Sequence, residues 1–248
     1  MMEKLRALLE KAASIMDDWL FPEDVRCLCC SGALGEDAQD GLCPACSQAL
    51  RRLALKREDP QWQMPKKIEG ASYVHAAFPY EAQIRTLVHR LKFDCVRAAA
   101  VPLAREMVFL PAGEEEIIVP VPTDPKRQRK RGFNQAALLA EHLGREWGME
   151  VSCALVRVSS RRPQTQMDAE QRLTNVAGCM AVALPVSGKR IVLVDDVVTT
   201  GATAQEAVRA LLEGGALSVG VLAAARAGMH SSDHADLFRP EIGSKVTE

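Results

Sequence analysis

The sequence predicts an α/β protein: a central, mostly parallel sheet flanked by helices, joined to a small four-cysteine segment near the N-terminus. Two observations predict the sheet. Strand-length and helix-length runs alternate from about Ala71 to Ala225, which implies parallel pairing with helices on both faces. The strand runs are short and continuously apolar, as in Ile191 to Val194, a pattern typical of strands buried on both sides. The third observation is a pair of CxxC knuckles, Cys27-x2-Cys30 and Cys43-x2-Cys46.

Composition limits the function classes. The chain has 248 residues, 48% of them apolar and 25% charged, with a net charge of −1. That suits one α/β domain with a small appendage. It does not suit a globally basic nucleic-acid binder, so any such activity would need a local patch. No run approaches the roughly 18 unbroken apolar residues of a membrane span. Met1 to Asp18 mixes charges among its apolar residues, so it lacks the apolar middle of a signal peptide. A cytoplasmic location is expected, with the eight cysteines as reduced thiols or metal ligands rather than disulfides.

The elements follow in order. Leu5, Leu8, Leu9, Ala12, Met16, Trp19 and Leu20 recur at helical spacing, so residues 1–22 read as an amphipathic helix. Residues 23–56 form the cysteine segment. Residues 57–70 read as a linker, overlapping a charged stretch from Arg51 to Lys67 that carries Pro60 and Pro65. Residues 71–228 form the main domain. Its expected strands are Ala71 to Pro79, Ile117 to Val121, Ile191 to Val194 and Leu217 to Ala224. Its expected helices are Ala82 to Phe93, with Ile84, Leu87, Val88 and Leu91 on one face, Val96 to Phe109, Asn134 to Trp147 and Ala204 to Leu212. Along Asn134 to Trp147 the packed residues are expected at Ala137, Leu138, Ala140, His142 and Leu143. Residues 229–248 read as a polar, frayed tail.

The segment after the third of these strands carries the chemistry. Val194-Asp195-Asp196-Val197-Val198-Thr199-Thr200-Gly201-Ala202-Thr203 takes an apolar strand into two carboxylates, a short turn and a helix. In an open parallel sheet, ligands bind at the carboxyl ends of strands. Gly201 can take backbone angles closed to other residues. Amides from about Thr200 to Thr203 can converge on an anion, and the following helix offers its positive end. Thr199, Thr200 and Thr203 add hydroxyls. Asp195 and Asp196 would repel a phosphate but suit sugar hydroxyls, and they can hold Mg2+ through water. The alternative is a structural turn with a solvated acidic pair.

A second constellation follows the strand at Ile117. Val121-Pro122-Thr123 stiffens the strand end, and five of the six residues from Lys126 to Arg131 are cationic. Such a run is often a solvated loop or a nucleic-acid patch. In the same sheet as the phosphate turn, its arginines can instead grip a diphosphate bidentately. A diphosphate acting as a leaving group would need such a counter-charge as its own charge grows.

The cysteine knuckles are separated by twelve residues. Four thiolates in two CxxC pairs suit tetrahedral Zn2+. Such a site has no open position, so its role is structural. Redox chemistry is the alternative, but the βαβ context it needs is not visible. Cys29 reads as a spare thiol, and Cys95, Cys153 and Cys179 as core residues. The five histidines share no motif with a nucleophile, and Trp62 and Trp147 read as packing residues. Arg161-Arg162 reads equally as phosphate ligand or solvated pair.

The Val192 to Thr203 segment closely resembles the phosphoribosyl-diphosphate (PRPP) signature of type I phosphoribosyltransferases. The wider order is Pro120-Val121-Pro122, then Arg127, Arg129 and Arg131-Gly132-Phe133-Asn134-Gln135. Gln164-Thr165-Gln166, Arg172, Asn175-Val176 and the PRPP segment follow. It resembles the ComF family, also described as GntX-like or competence protein F, over about Leu20 to Ala225. The cysteine segment just after Leu20-Phe21-Pro22 adds to the likeness. Thr123 stands where a bulky apolar residue is common, and Cys179-Met180 replaces a small-plus-aromatic pair. The resemblance implies a type I phosphoribosyltransferase fold with a hood, plus an N-terminal zinc ribbon. It also implies PRPP binding with Mg2+, and an association with DNA uptake in competent bacteria. It places Val121, Pro122, Thr123, Asp195, Asp196, Val198, Thr199, Thr200, Gly201, Ala202 and Thr203 around PRPP. Asp195, Asp196, Arg127 and Arg131 would be the catalytic groups, and Cys27, Cys30, Cys43 and Cys46 the zinc ligands. Lys92 resembles a family position near the site and reads equally as a helix-end charge. The expected function is phosphoribosyl transfer to a nucleobase-like acceptor. The alternative is a silent binding module that contacts single-stranded DNA or a helicase-like partner.

Overall fold

The computed structural model describes residues 26–55, 68–158 and 178–227. Several expectations lie outside the described residues: the N-terminal helix, Pro60, Trp62 and Pro65, Arg161 to Gln166, Arg172, Asn175-Val176, and the tail with its two histidines.

Among the described residues, five parallel strands form the central sheet. In chain order they are β1 (Val74–Pro79), β2 (Ile117–Pro120), β3 (Glu150–Val151), β6 (Arg190–Val198) and β7 (Ser218–Arg226), arranged β1-β7-β6-β2-β3. Between them in sequence, β4 (Leu155–Arg157) and β5 (Met180–Val182) pair as an antiparallel ribbon. The helices are α1 (Pro44–Leu55), α2 (Ala82–Lys92), α3 (Ala100–Met107), α4 (Pro125–Arg131), α5 (Gln135–Trp147) and α6 (Ala202–Glu213).

The central strands separate two cores by their twofold alternation. Val192 and Val194 join the core that holds Ile84, Leu87 and Leu91 of α2, Leu103 of α3 and Leu139 and Leu143 of α5. Ile191 and Leu193 join the opposite core, with Ala207, Val208 and Leu211 of α6 and Leu155 and Met180 of the ribbon. Helices therefore cover both faces, as the apolar strands require.

The structure moves several boundaries. β6 continues through Asp195 and Asp196 to Val198, because β7 is equally long and pairs with it as far as Val198 opposite Arg226. The helix expected from Val96 splits into a 3-10 turn, Arg97–Ala99, and α3. Starting α3 at Ala100 puts Pro102 in the first turn, where its missing N–H costs no helical bond. Arg51 to Leu55 continue α1 rather than opening a loose connection, since Leu50 and Ala54 are buried against the main domain. On α5 the buried stripe is Gln135, Ala136, Leu139, Ala140, Leu143 and Gly144. Ala137, Leu138 and His142 are only half-buried. Gly144 sets this rotation: a Cβ there would meet Val151 Cγ2 at 2.6 Å. Trp147 packs at the rim of the core.

The basic run is a helix, not a loop. Asp124 caps it by accepting from the Lys126 and Arg127 amides at 2.9 and 3.1 Å. Pro125 occupies the first turn, and Gly132 ends the helix at φ 83°. Asp-Pro before and Gly after are helix start and stop signals. Cys95 and Cys153 are exposed, contrary to their expected core positions, whereas Cys179 is half-buried and packs against the α6 core. Cys95 sits in a turn at φ 60°, and Cys153 lies between β3 and β4, outside the elements that face the core.

Candidate functional site

The β6–α6 junction lies at the carboxyl edge of the sheet. β6 ends at Val198, and Gly201 turns the chain into α6 with φ 81°. A Cβ on Gly201 would meet only Ile68, at 3.6 Å. Backbone conformation rather than space therefore selects glycine. The starts of α4 and α5 are capped by the side chains of Asp124 and Asn134. Gly201 brings no side chain to the start of α6, and the Thr200 hydroxyl accepts from the Ala202 amide at 3.4 Å. Thr199 is exposed, and Thr200, Gly201, Ala202 and Thr203 are half-buried. Glu69 and Gln205 brace α6 from outside through two hydrogen bonds, at 2.7 and 2.9 Å.

Asp195 and Asp196 are both buried. Asp195 Oδ1 accepts from the Asp196 amide at 2.8 Å. Burial, and then the neighbouring Asp196 charge, push the Asp195 carboxyl up to about 7, while Lys92 opposes the shift. Lys92 Nζ lies 3.0 Å from Asp196 Oδ1. Burial works against the Lys92 charge, but Asp196 together with Asp195 and Tyr80 outweighs it and raises the ammonium above its ordinary value.

The second strand end is held by side chains from elsewhere. Val121 donates its amide to the Val194 carbonyl at 2.8 Å. Asn134 Nδ2 donates to the Val121 carbonyl, and Arg157 Nε to the Pro122 carbonyl, both at 2.9 Å. Val121 is buried, and Pro122 and Thr123 are half-buried. Arg131 turns inward: its Nε donates to the Lys92 carbonyl at 2.6 Å. Its Nη1 is buried without a partner among the described residues, and burial lowers its pKa. Arg127 is exposed on α4, close enough to Arg131 to repel its charge. Lys126, Arg129 and Lys130 are exposed on the same helix.

The structure thus brings the acidic pair, Lys92 and Arg131 together, with the Val121 to Thr123 turn on the adjacent strand. Arg157 carried no sequence signal, because it lies on a short strand far from either motif. Lys92 carried a weak one, its likeness to a family position near the site, balanced by an equal reading as a helix-end charge.

The cysteine segment forms a separate centre. The Sγ atoms of Cys27, Cys30, Cys43 and Cys46 all lie within 4.8 Å of one another. A tetrahedral thiolate site with metal–sulfur bonds of about 2.3 Å has sulfurs about 3.8 Å apart. Cys30 and Cys43 are separated by 3.8 Å, so the donor set fits a metal ion. Cys27 Sγ also accepts from the amides of Cys29 and Cys43, each at 3.4 Å. Burial opposes ionisation of Cys27, but these and the Cys30 amide together hold its thiol down at about 6. Cys29 stands outside the cluster, its Sγ 3.9 Å from the Gln83 carbonyl of α2. Burial pushes its thiol up to about 12. The segment is joined to the main domain by Leu28, Leu42, Cys46 and Leu50 in the α2 core. Arg90 to Ser31 Oγ at 2.6 Å and Arg105 to Asp40 at 2.5 Å add polar ties.

The chain is similar to several known proteins. The phosphoribosyl transferase domain model matches residues 129–240. The chain is 32% identical over 216 residues to the DNA utilization protein YhgH of Escherichia coli K12, covering 79% of this chain and 87% of that one. It is 30% identical over 232 residues to competence protein F of Haemophilus influenzae, covering 82% and 97%. Against competence protein ComFC of Bacillus subtilis the identity is 27%, covering 79% and 81%. Among solved structures, the glutamine PRPP amidotransferase of B. subtilis aligns at TM-score 0.38 and 23% identity. That alignment covers 52% of this chain and about a quarter (26%) of that one. With cysteine segment, parallel sheet and relatives in agreement, the chain belongs to the ComF family of phosphoribosyltransferase-fold proteins.

Proposed function

We propose that the protein binds PRPP with Mg2+ and transfers its phosphoribosyl group to a nucleobase-like acceptor, releasing diphosphate. The observation that carries this reading is the β6–α6 junction. A buried acidic pair leads into a glycine-turned helix start that has no capping side chain of its own. Thr199 to Thr203 would hold the 5'-phosphate through amides and hydroxyls. Asp195 and Asp196 would accept from the ribose hydroxyls. The Val121 to Thr123 turn, with Arg127 and Arg131, would face the diphosphate. Carboxylate oxygens suit Mg2+, which keeps several waters and would supply charge neutralisation on the leaving group. No covalent protein nucleophile is needed: the residues orient the anomeric carbon and stabilise the departing charge. Zn2+ in the four-cysteine centre would be structural, since all four positions are filled by thiolates. We place the protein in the cytoplasm. No helix among the described residues is long and apolar enough to cross a membrane.

A second reading has its own observation. Lys126, Arg127, Arg129 and Lys130 are all exposed on α4, and relatives are named for DNA utilization and competence. On this reading the domain is a silent PRPP-fold module that contacts single-stranded DNA or a helicase-like partner. Calorimetric titration with Mg2+-PRPP decides between them. The first reading expects binding that is lost in the Asp195→Asn/Asp196→Asn variant. Absence of PRPP binding, with single-strand affinity that falls steeply as salt rises, supports the second.

A further inference from the structure

We infer that Lys92 is the positioning counter-ion of the acidic pair: it acts through Asp196 to let two buried carboxylates face a polyanionic substrate, and Arg131 clamps it in place. The inference rests on the PRPP reading of this site and adds to it a residue on a third element. The difficulty it resolves is electrostatic. A sugar bearing phosphate and diphosphate must approach Asp195 and Asp196, both of which are buried. Two uncompensated carboxylates would repel that ligand just where its hydroxyls must dock. Lys92 removes one charge at the source. Its side chain is 23% exposed and that of Asp196 12%, at 3.0 Å, so the pair is largely withdrawn from screening water. Lys92 engages Oδ1 of Asp196, which leaves Oδ2 to accept from a sugar hydroxyl.

The placement is rigid. Ile84, Leu87, Val88 and Leu91 anchor α2 with no exposed surface, and Lys92 is its last residue. The carbonyls at a helix end lack intrahelical partners. Arg131 Nε supplies one to the Lys92 carbonyl at 2.6 Å, which ties the end of the basic helix to the end of α2. Arg131 therefore fixes the backbone that carries the ammonium, while its charge also faces Asp196.

A double-mutant cycle in the full-length, metal-loaded protein tests this, with Mg2+-PRPP affinity read by calorimetry. Lys92→Met should lose at least tenfold in affinity, and Lys92→Arg should recover most of it. Once Asp196→Asn is present, adding Lys92→Met should cost less than threefold, because the charge to be compensated has gone. Losses that multiply would overturn the inference, since Lys92 would then act on the ligand independently of Asp196. Wild-type affinity in a folded Lys92→Met, or no recovery with Lys92→Arg, would also overturn it. Inorganic diphosphate as a second probe separates the two layers of the argument. Lys92-dependent diphosphate binding without PRPP binding removes the phosphoribosyl reading and keeps the counter-ion. No binding of either anion by the wild type removes both. If Lys92→Met does not fold, Lys92→Gln takes its place in the cycle.

Discussion

Asp195 should make the ligand-free protein less stable at neutral pH than it would be without that carboxylate. Burial and the adjacent Asp196 raise its pKa from an ordinary 3.8 to about 7. The folded state therefore keeps a proton up to about pH 7 that the unfolded chain gives up near pH 4. This favours folding below the unfolded pKa, and the advantage is lost as pH rises through the window to about 7. At about 1.4 kcal/mol for each pH unit, the gap of roughly three units sets a ceiling of about 4 kcal/mol. Asp195→Asn removes the ionisation and keeps an Oδ1 acceptor for the Asp196 amide. Urea unfolding, without PRPP or Mg2+, should show the variant about 2–4 kcal/mol more stable than wild type at pH 8, with the difference vanishing near pH 4. His75 titrates in the opposite sense: burial lowers its pKa, so stability rises with pH as the unfolded chain loses that proton. It is common to both proteins and cancels in the difference. Parallel pH profiles for wild type and variant would refute the reasoning. So would a variant no more stable at pH 8.

Three further outcomes follow from other parts of the molecule. Cys27→Ser with Cys43→Ser should abolish bound zinc and loosen the segment around residues 26–55; full zinc content by metal analysis would refute the ligand assignment. Gly201→Ala meets no clash but must hold φ near 81°, so it should cost about 1–2 kcal/mol of stability and weaken PRPP binding, read by thermal unfolding and calorimetry. The cysteine segment is attached mainly by apolar packing. Leu42→Ala, at a residue 2% exposed, should cost about 2–5 kcal/mol, whereas Arg105→Ala, which breaks a partly exposed ion pair, should cost under about 1 kcal/mol; denaturant titration compares the two.

Much of this protein is written locally. The apolar runs at Ile117 and Ile191 specify strands buried on both faces, since no polar side alternates with them. Thr199 to Gly201 announce a turn into a helix, because glycine is the residue that tolerates the backbone angle there. The two CxxC spacings alone group four sulfurs. Even the basic helix was legible, in Asp124-Pro125 and Gly132, although its charge density drew the reading toward a loop. What only tertiary structure decided lies across long separations. The face of α5 that is buried depends on how closely Gly144 approaches Val151. The length of β6 depends on β7 continuing beside it. Lys92 meets Asp196, and Arg131 meets the Lys92 carbonyl, only because α2, α4 and β6 end at the same edge of the sheet. Periodicity and motif spacing report what a residue does within its own turn or strand. Which distant charge it must neutralise is set by how the layers pack.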